Sequence, residues 1–306
     1  MFTLAHLSDP HLGQMPIPSP GQLLGKRIFG YLSWTVRRRP IHDGPVLPAL
    51  VADLRQTRPD HVAVTGDITN ISLPVEFARA GSWLRGLGDP ENVTVVPGNH
   101  DAYVAVPWDQ SIGLWREFMS SDGVNGVGSL PASPDDFPFV RERGEVALVG
   151  VSTAAPMPIR SAAGRIGAGQ IGALGQRLGE LGRRGLFRVV LIHHPPIADG
   201  ISARKRLLDA EALAAVVAEH GAELVLHGHT HRSGLARMKT PKGHAPVIGV
   251  PSASARAHKG KGHARYHLYR VSRDGSTWRV EVEVRGVTPG LDAFATEGRF
   301  SLAVAG

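Results

Sequence analysis

Cysteine is absent from all 306 residues. That absence excludes disulfide bonds, thiolate metal sites and a cysteine nucleophile, so any metal must be held through nitrogen and oxygen. No apolar run reaches the roughly 18 residues that a membrane-crossing helix needs. The N-terminus enters the alternating run FTLAHLSD with no charged and apolar leader before it. The chain is therefore expected to be soluble and cytoplasmic. Acidic residues are missing from two long stretches, one between Asp9 and Asp43 and one between Glu223 and Asp274. Over the whole chain Lys plus Arg total 34 against 27 for Asp plus Glu, a formal charge of +7. This balance favours acidic partners: phosphates, nucleic acid or an anionic membrane surface.

The hydrophobic content of 42% is ample for one packed domain. Several short runs, apolar on both faces, end in polar residues: FTLAHLSD (2–9), DHVAVTGD (60–67), NVTVVPGN (92–99), EVALVGVST (145–153), FRVVLIHH (187–194) and AELVLHGH (222–229). They read as buried strands. Helical stripes lie between most of them: Val46, Leu47, Leu50, Val51 and Leu54; Phe77, Ala80, Leu84 and Leu87; and Leu208, Leu213, Val216 and Val217, closed by Gly221. A further helix over 169–184 carries Ile171, Leu174, Leu178 and Leu181 beside a stripe of Gly172, Gly175, Gly179 and Gly182. Each such glycine costs about 0.5 to 1 kcal/mol against alanine, which close backbone packing is expected to offset. Strand and helix alternate, so the class is α/β. The runs 246–254, 264–272 and 276–287 alternate as antiparallel strands do, which fits a second, mixed sheet. Segments 12–40 and 121–138 look inserted. Residues 1–287 read as one domain and 288–306 as a surface tail.

In open α/β sheets ligands bind beyond the carboxyl ends of the strands. Here those ends carry Asp9 and His11 (SDPH), Asp67 (TGD), Asn99 and His100 (GNHD), His193 (HHPP), and His229 and His231 (GHTH). Imidazoles mixed with carboxylate and amide oxygens suit borderline ions such as Mn, Fe or Zn, and the inventory is large enough for two of them. Each block alone has an ordinary explanation as turn chemistry.

Taken together and in order, SDPH, TGD, GNHD, HHPP and GHTH resemble the calcineurin-like metallophosphoesterase superfamily over roughly residues 1–255. The resemblance implies a four-layer αββα sandwich of two mixed sheets. It implies one ion held by Asp9, His11 and His231, a second by Asn99, His193 and His229, and Asp67 between them. It further implies hydrolysis of a phosphodiester or pyrophosphate bond by a hydroxide bridging the ions, with His100 at the departing oxygen and Asp101 orienting His100. Two features depart from the pattern. Pro10 stands where leucine or isoleucine is frequent, and His194 competes with His193 for one role. His227 and His194 lie near enough in sequence to support the ligands, and the remaining histidines, His42 among them, fit no ligand pattern.

Specificity is expected to lie outside these blocks. Segment 21–40 holds Lys26, Arg27, Arg37, Arg38 and Arg39 with Phe29, Tyr31 and Trp34. It could be a cap gripping an acidic amphiphile, a helix on an anionic membrane, or a plain surface helix. A second basic field runs from Arg232 to Arg273, with the Gly-containing RAHKGKGHAR (256–265), which could close over a phosphate or form a hairpin loop, within it. The substrate is accordingly expected to be an anionic phosphate ester of a small molecule or lipid. UDP-diacylglucosamine hydrolysis, as by the membrane-associated lipid A enzymes of the superfamily, a nuclease, and a non-catalytic scaffold remain alternatives.

Overall fold

Beyond each polar strand end the chain turns sharply, so the strands are short and the connections carry the chemistry. The computed structural model describes residues 1–306 except 14, 43, 123–127, 198, 258–261, 276 and 306. One sheet contains β1 (Phe2–Leu7), β2 (His61–Val64), β3 (Val93–Val95), β10 (Arg265–Asp274), β11 (Thr277–Val287) and β12 (Phe294–Ala305). Its order is β12-β11-β10-β1-β2-β3, parallel from β1 to β3 and antiparallel elsewhere. The other contains β4 (Phe139–Arg143), β5 (Val146–Gly150), β6 (Phe187–Leu191), β7 (Leu224–His227), β8 (Gly234–Thr240) and β9 (Gly243–Gly249). Its order is β4-β5-β6-β7-β9-β8, with a parallel centre and two antiparallel edges. Helices α3 (Val46–Thr57) and α4 (Pro74–Leu87) belong with the first sheet, α5 (Ala168–Arg183) and α6 (Ala210–His220) with the second. This is the expected α/β arrangement of two mixed sheets with helices outside.

The alternation of the strands explains the layers. Val146, Leu148, Phe187, Val189 and Leu191 join the large core that also holds Leu4, Val64 and Leu268 of the first sheet. Their neighbours Ala147, Val149 and Val190 point the other way, onto Leu174, Leu178 and Leu181 of α5 and Leu213 and Val217 of α6. The glycines of α5 fit this packing in part. A Cβ on Gly175 would meet the His220 ring at 3.0 Å, and one on Gly182 would strike the Arg188 guanidinium. That guanidinium donates to the carbonyls of Leu178 and His220 at 2.9 and 2.7 Å and pairs with buried Glu223. Gly172 faces open space, and nothing in the structure explains it.

Two expectations change. Residues 294–305, read as part of a surface tail, form the edge strand β12, registered along the whole of β11. Phe294 and Val304 are buried, and a register shift at Val284/Arg285 absorbs the Glu-Gly-Arg interruption of the strand. Segment 27–42, within and just beyond the expected insert, is a helical arm: α1 (Arg27–Ser33), a π turn (Trp34–Arg38) and α2 (Arg39–His42). Residues 123–127 of the second expected insert lie outside the described residues, as do 258–261 of the RAHKGKGHAR loop. Among the described residues no helix is long and apolar enough to cross a membrane.

His61, at the start of β2, is fully buried with Nε2 2.7 Å from Thr94 Oγ1. Burial, helped by Arg143 and Arg141, lowers its imidazole to about 3. Below the ordinary value of about 6.5 the unfolded chain takes up a proton that folded His61 refuses. Stability should therefore fall as pH drops from about 6.5 towards 3, by about 2 kcal/mol between pH 7 and 5 from this residue alone. His61→Gln, which keeps a partner for Thr94, should flatten that part of the slope. Denaturant midpoints at the two pH values measure it, and an unchanged slope in the variant would contradict the assignment.

Candidate metal centre

The parallel strands β1, β2, β3, β6 and β7 all end at one edge of the sandwich, and their exit loops are laced together by the backbone. Asp9 N donates to Gly66 O at 3.0 Å, His11 N to Asp67 O at 3.0 Å, and Gly228 N to His193 O at 3.1 Å. Asp9, His11, Asp67, His229 and His231 all have positive φ, between 37° and 66°. Left-handed backbone at a residue other than glycine costs about 1 to 2 kcal/mol, and such strain clusters where side chains must be aimed. Five of the seven expected ligands are held this way. Gly98 is needed because a Cβ there would strike the Asp67 carboxylate.

The side chains converge. Asp67 Oδ2 lies 3.4 Å from His193 Nε2 and 3.9 Å from His11 Nε2, so this carboxylate stands between the two expected triads. Asp9 Oδ1 is 3.1 Å from His231 Nε2, and His11 Nε2 is 3.2 Å from the same nitrogen. Asn99 Oδ1 is 3.2 Å from His193 Nε2, and the His193 and His229 rings are 5.1 Å apart. All of these residues are buried except His231, which is half-buried.

Two observations show that this donor set fits metal ions. His229 Nε2 is buried with no hydrogen-bond partner among the described residues, and Asp9 Oδ1 is buried with only the His231 nitrogen near it there, although buried polar atoms are nearly always paired. The carboxylates also draw their compensating charge from neighbouring imidazoles. Burial would push Asp9 up, yet His231 and His193 hold it at about 2; burial would raise Asp67 too, and His193 and His100 hold it well below the usual range. Against its own burial His193 is raised to about 9 by Asp67 and Asp9. Two cations would supply the charge that a protonated His193 otherwise has to provide.

His193 and His194 differ in their partners, although both stand with His229 in one cluster that could hold an ion. His193 Nδ1 meets the carbonyl of Thr65 at 2.6 Å, which puts its proton there and leaves Nε2 facing Asp67 and Asn99. His194 has both nitrogens engaged, Nδ1 with Thr153 Oγ1 at 2.7 Å and Nε2 with Ala162 O at 3.1 Å. It packs 4.3 Å from the His229 ring.

His100 lies in the same cavity. Its Nδ1 is 2.6 Å from the Asn70 carbonyl and its ring stacks on Tyr103 at 5.7 Å. Burial and Arg38 lower its imidazole to about 4. An anion placed against it would raise it again. Asp101 has a task other than the expected one. Its carboxylate accepts from the backbone N–H groups of Asp67, Ile68, Thr69 and Gly98 at 2.8 to 3.0 Å and from Thr69 Oγ1 at 3.0 Å. It orders the loop that presents Asp67, and the partner of the His100 ring is the Asn70 carbonyl. The cause is geometric: Asp101 turns back beneath Gly98 while His100 turns outward.

The cavity, of about 250 Å³, is also lined by Arg38, His42, Lys205 and Arg256. Arg38 Nη2 donates to His11 Nδ1 at 2.7 Å, and its Nη1 lies 3.3 Å from His100 Nδ1. His42, set aside in the sequence, is buried on Ser254 Oγ at 2.8 Å, with its ring 4.9 Å from His11 and 5.8 Å from His231. The signal was the four-residue spacing of Lys26, Gly30, Trp34, Arg38 and His42, which places all five on one face of the arm.

The sequence profile of the calcineurin-like phosphoesterases matches residues 2–233, well over half of the chain. The chain belongs to the calcineurin-like phosphoesterase family. It is 24% identical over 241 residues to a probable cyclic nucleotide phosphodiesterase from Synechococcus sp., covering 78% of this chain and 82% of the relative. A dimetal phosphatase from Danio rerio superposes with a TM-score of 0.64 at 14% identity over 96% of this chain and 98% of that one. A purple acid phosphatase from yellow lupin gives 0.60 at 11% identity, covering 98% of this chain and 53% of the other. These two likenesses show the fold. Family membership makes the chain a hydrolase of phosphoric ester bonds; the family depends on a dinuclear metal site, and the His and Asp clusters here could bind ions.

Proposed function

We propose that the protein is a phosphodiesterase acting on a small anionic diester, with Asp9, His11 and His231 holding one ion, Asn99, His193 and His229 the other, and Asp67 both. The observation that carries this reading is that Asp67 stands between two groups of nitrogen and oxygen donors on a cavity whose outer wall is Arg38, Lys205 and Arg256. The name of the Synechococcus relative favours diesters. Imidazole with carboxylate and amide oxygen suits Mn, Fe or Zn. Bound ions would supply Lewis acidity toward the phosphoryl oxygens and a water acidic enough to act as nucleophile near neutral pH.

The protein's own groups do the rest. For Nε2 of His11 to be free for an ion its proton must sit on Nδ1, towards the Thr69 carbonyl at 3.4 Å. That proton repels Arg38 Nη2, whose hydrogen bonds are then free for an anion in the cavity. A phosphate drawn there by Arg38, Lys205 and Arg256 raises the proton affinity of His100, which can then protonate the departing oxygen.

The test uses metal-loaded protein with a nitrophenyl diester, a nitrophenyl monoester, cyclic nucleotides, UDP-diacylglucosamine and single-stranded DNA. Metal-dependent turnover of a small diester above the monoester is the expected result. Inactivity throughout with full metal content would instead indicate a scaffold. Arg38→Ala should raise KM for the best diester by about 10- to 100-fold, the equivalent of one lost charge-assisted contact, with metal content unchanged. An unaltered KM would remove Arg38 from the binding site.

A further inference from the structure

The helical arm has two faces. Its inner face is spent on the site: Gly30 lies against Ile71 and Tyr103, Trp34 is buried, Arg38 meets His11 and His100, and His42 meets Ser254. Lys26 anchors its start, donating to Met157 O at 3.0 Å. Its outer face is apolar and uncovered. Ile28, Leu32 and Val36 recur every four residues beside Phe29 and follow Leu24, with exposures of 42%, 54%, 73%, 53% and 76% respectively. A soluble surface helix normally turns such a row inward. Exposed Arg37 flanks it, and exposed Arg160 with Ile159, 54% exposed, lies in the loop that Lys26 grips.

We propose that this outer face lies on an anionic lipid bilayer, with the apolar row entering the headgroup region and the arginines on lipid phosphates. Apolar residues rimmed by cations are the pattern of interfacial helices, and each cation near an anionic surface contributes about 1 kcal/mol. Charge decides against a second copy of the chain as occupant. A two-fold pairing of this face would set arginine against arginine, and no acid occurs between residues 9 and 43 to answer them. Since the opposite face of the arm carries Arg38 and His42, the lipid-bound arm also holds the cavity beside the membrane. The proposal extends the phosphodiesterase reading but does not depend on it, because binding is measured without turnover.

The experiment is flotation of the purified full chain with vesicles of phosphatidylcholine alone and with vesicles containing phosphatidylglycerol. The wild type should float with the anionic vesicles, not with pure phosphatidylcholine, and less as salt rises from about 0.1 to about 0.5 M. Leu32→Glu/Val36→Glu should lower the bound fraction about tenfold, and Arg37→Glu should lower it further for anionic vesicles. Both variants should keep the wild-type melting curve and soluble-diester hydrolysis. A wild type that ignores anionic vesicles, or a double variant that binds as well, would overturn the proposal. So would a wild-type dimer in sedimentation that the double variant dissolves, which would give the face to a second copy.

Discussion

Asp67→Ala should lose bound metal and drop turnover by about a thousandfold or more, the equivalent of some 4 kcal/mol of transition-state stabilisation withdrawn with the ions. Asp67 Oδ2 lies within 4 Å of a ring nitrogen from each group, His11 Nε2 at 3.9 Å and His193 Nε2 at 3.4 Å. Removing it also deprives His100 N of its 2.7 Å acceptor, Asp67 Oδ1. Asp67→Asn separates charge from shape: it keeps an oxygen for His100 N and loses the negative charge between the cations. Metal content should fall in both variants, and His193, no longer held beside that carboxylate, should lose its raised proton affinity. Metal analysis with diester turnover decides it. A variant with two ions per chain and full activity would end the assignment of Asp67 as the shared ligand.

Much of this site was legible because its residues sit at strand ends, where an apolar run stopping at Asp, Asn or His is visible without any tertiary information. Which residue of a block faces inward was less legible. His193 and His194 are neighbours of one type, and what distinguishes them is partners distant in sequence, the Thr65 carbonyl for one and Thr153 Oγ1 with the Ala162 carbonyl for the other. His42 and Arg38 were hidden for another reason. The arm is apolar on the outside and polar towards the site, so a search for an apolar inner face discards it. Strand β12 had a weak alternation in Phe300, Leu302 and Val304, but Glu297, Gly298 and Arg299 interrupt it as a turn would, and its register appears only against β11. Local pattern reports the core well; it reports poorly on elements whose partners are supplied by the fold.

Asp101 is the sharpest case, and it carries the last expected result. Adjacency to His100 suggested a carboxylate steadying an imidazole, whereas its oxygens take four buried backbone N–H groups. Leaving a buried donor unpaired costs about 1 to 3 kcal/mol, so Asp101→Ala should destabilise the protein by at least about 4 kcal/mol, out of a typical total of about 5 to 15. Metal affinity should fall about 10- to 100-fold, as when a support of a ligand is lost. Asp101→Asn should rescue little, since its NH2 would face two N–H donors where the carboxylate accepted both. The orienting role makes the opposite forecast: stability and metal retained, turnover lost. Denaturant unfolding and metal titration of the Asn variant, the one better able to fold, distinguish the two. Wild-type stability and metal affinity in that variant would return Asp101 to His100. Loss of both would place it under Asp67, as a residue that acts on the chemistry only by fixing where the shared ligand stands.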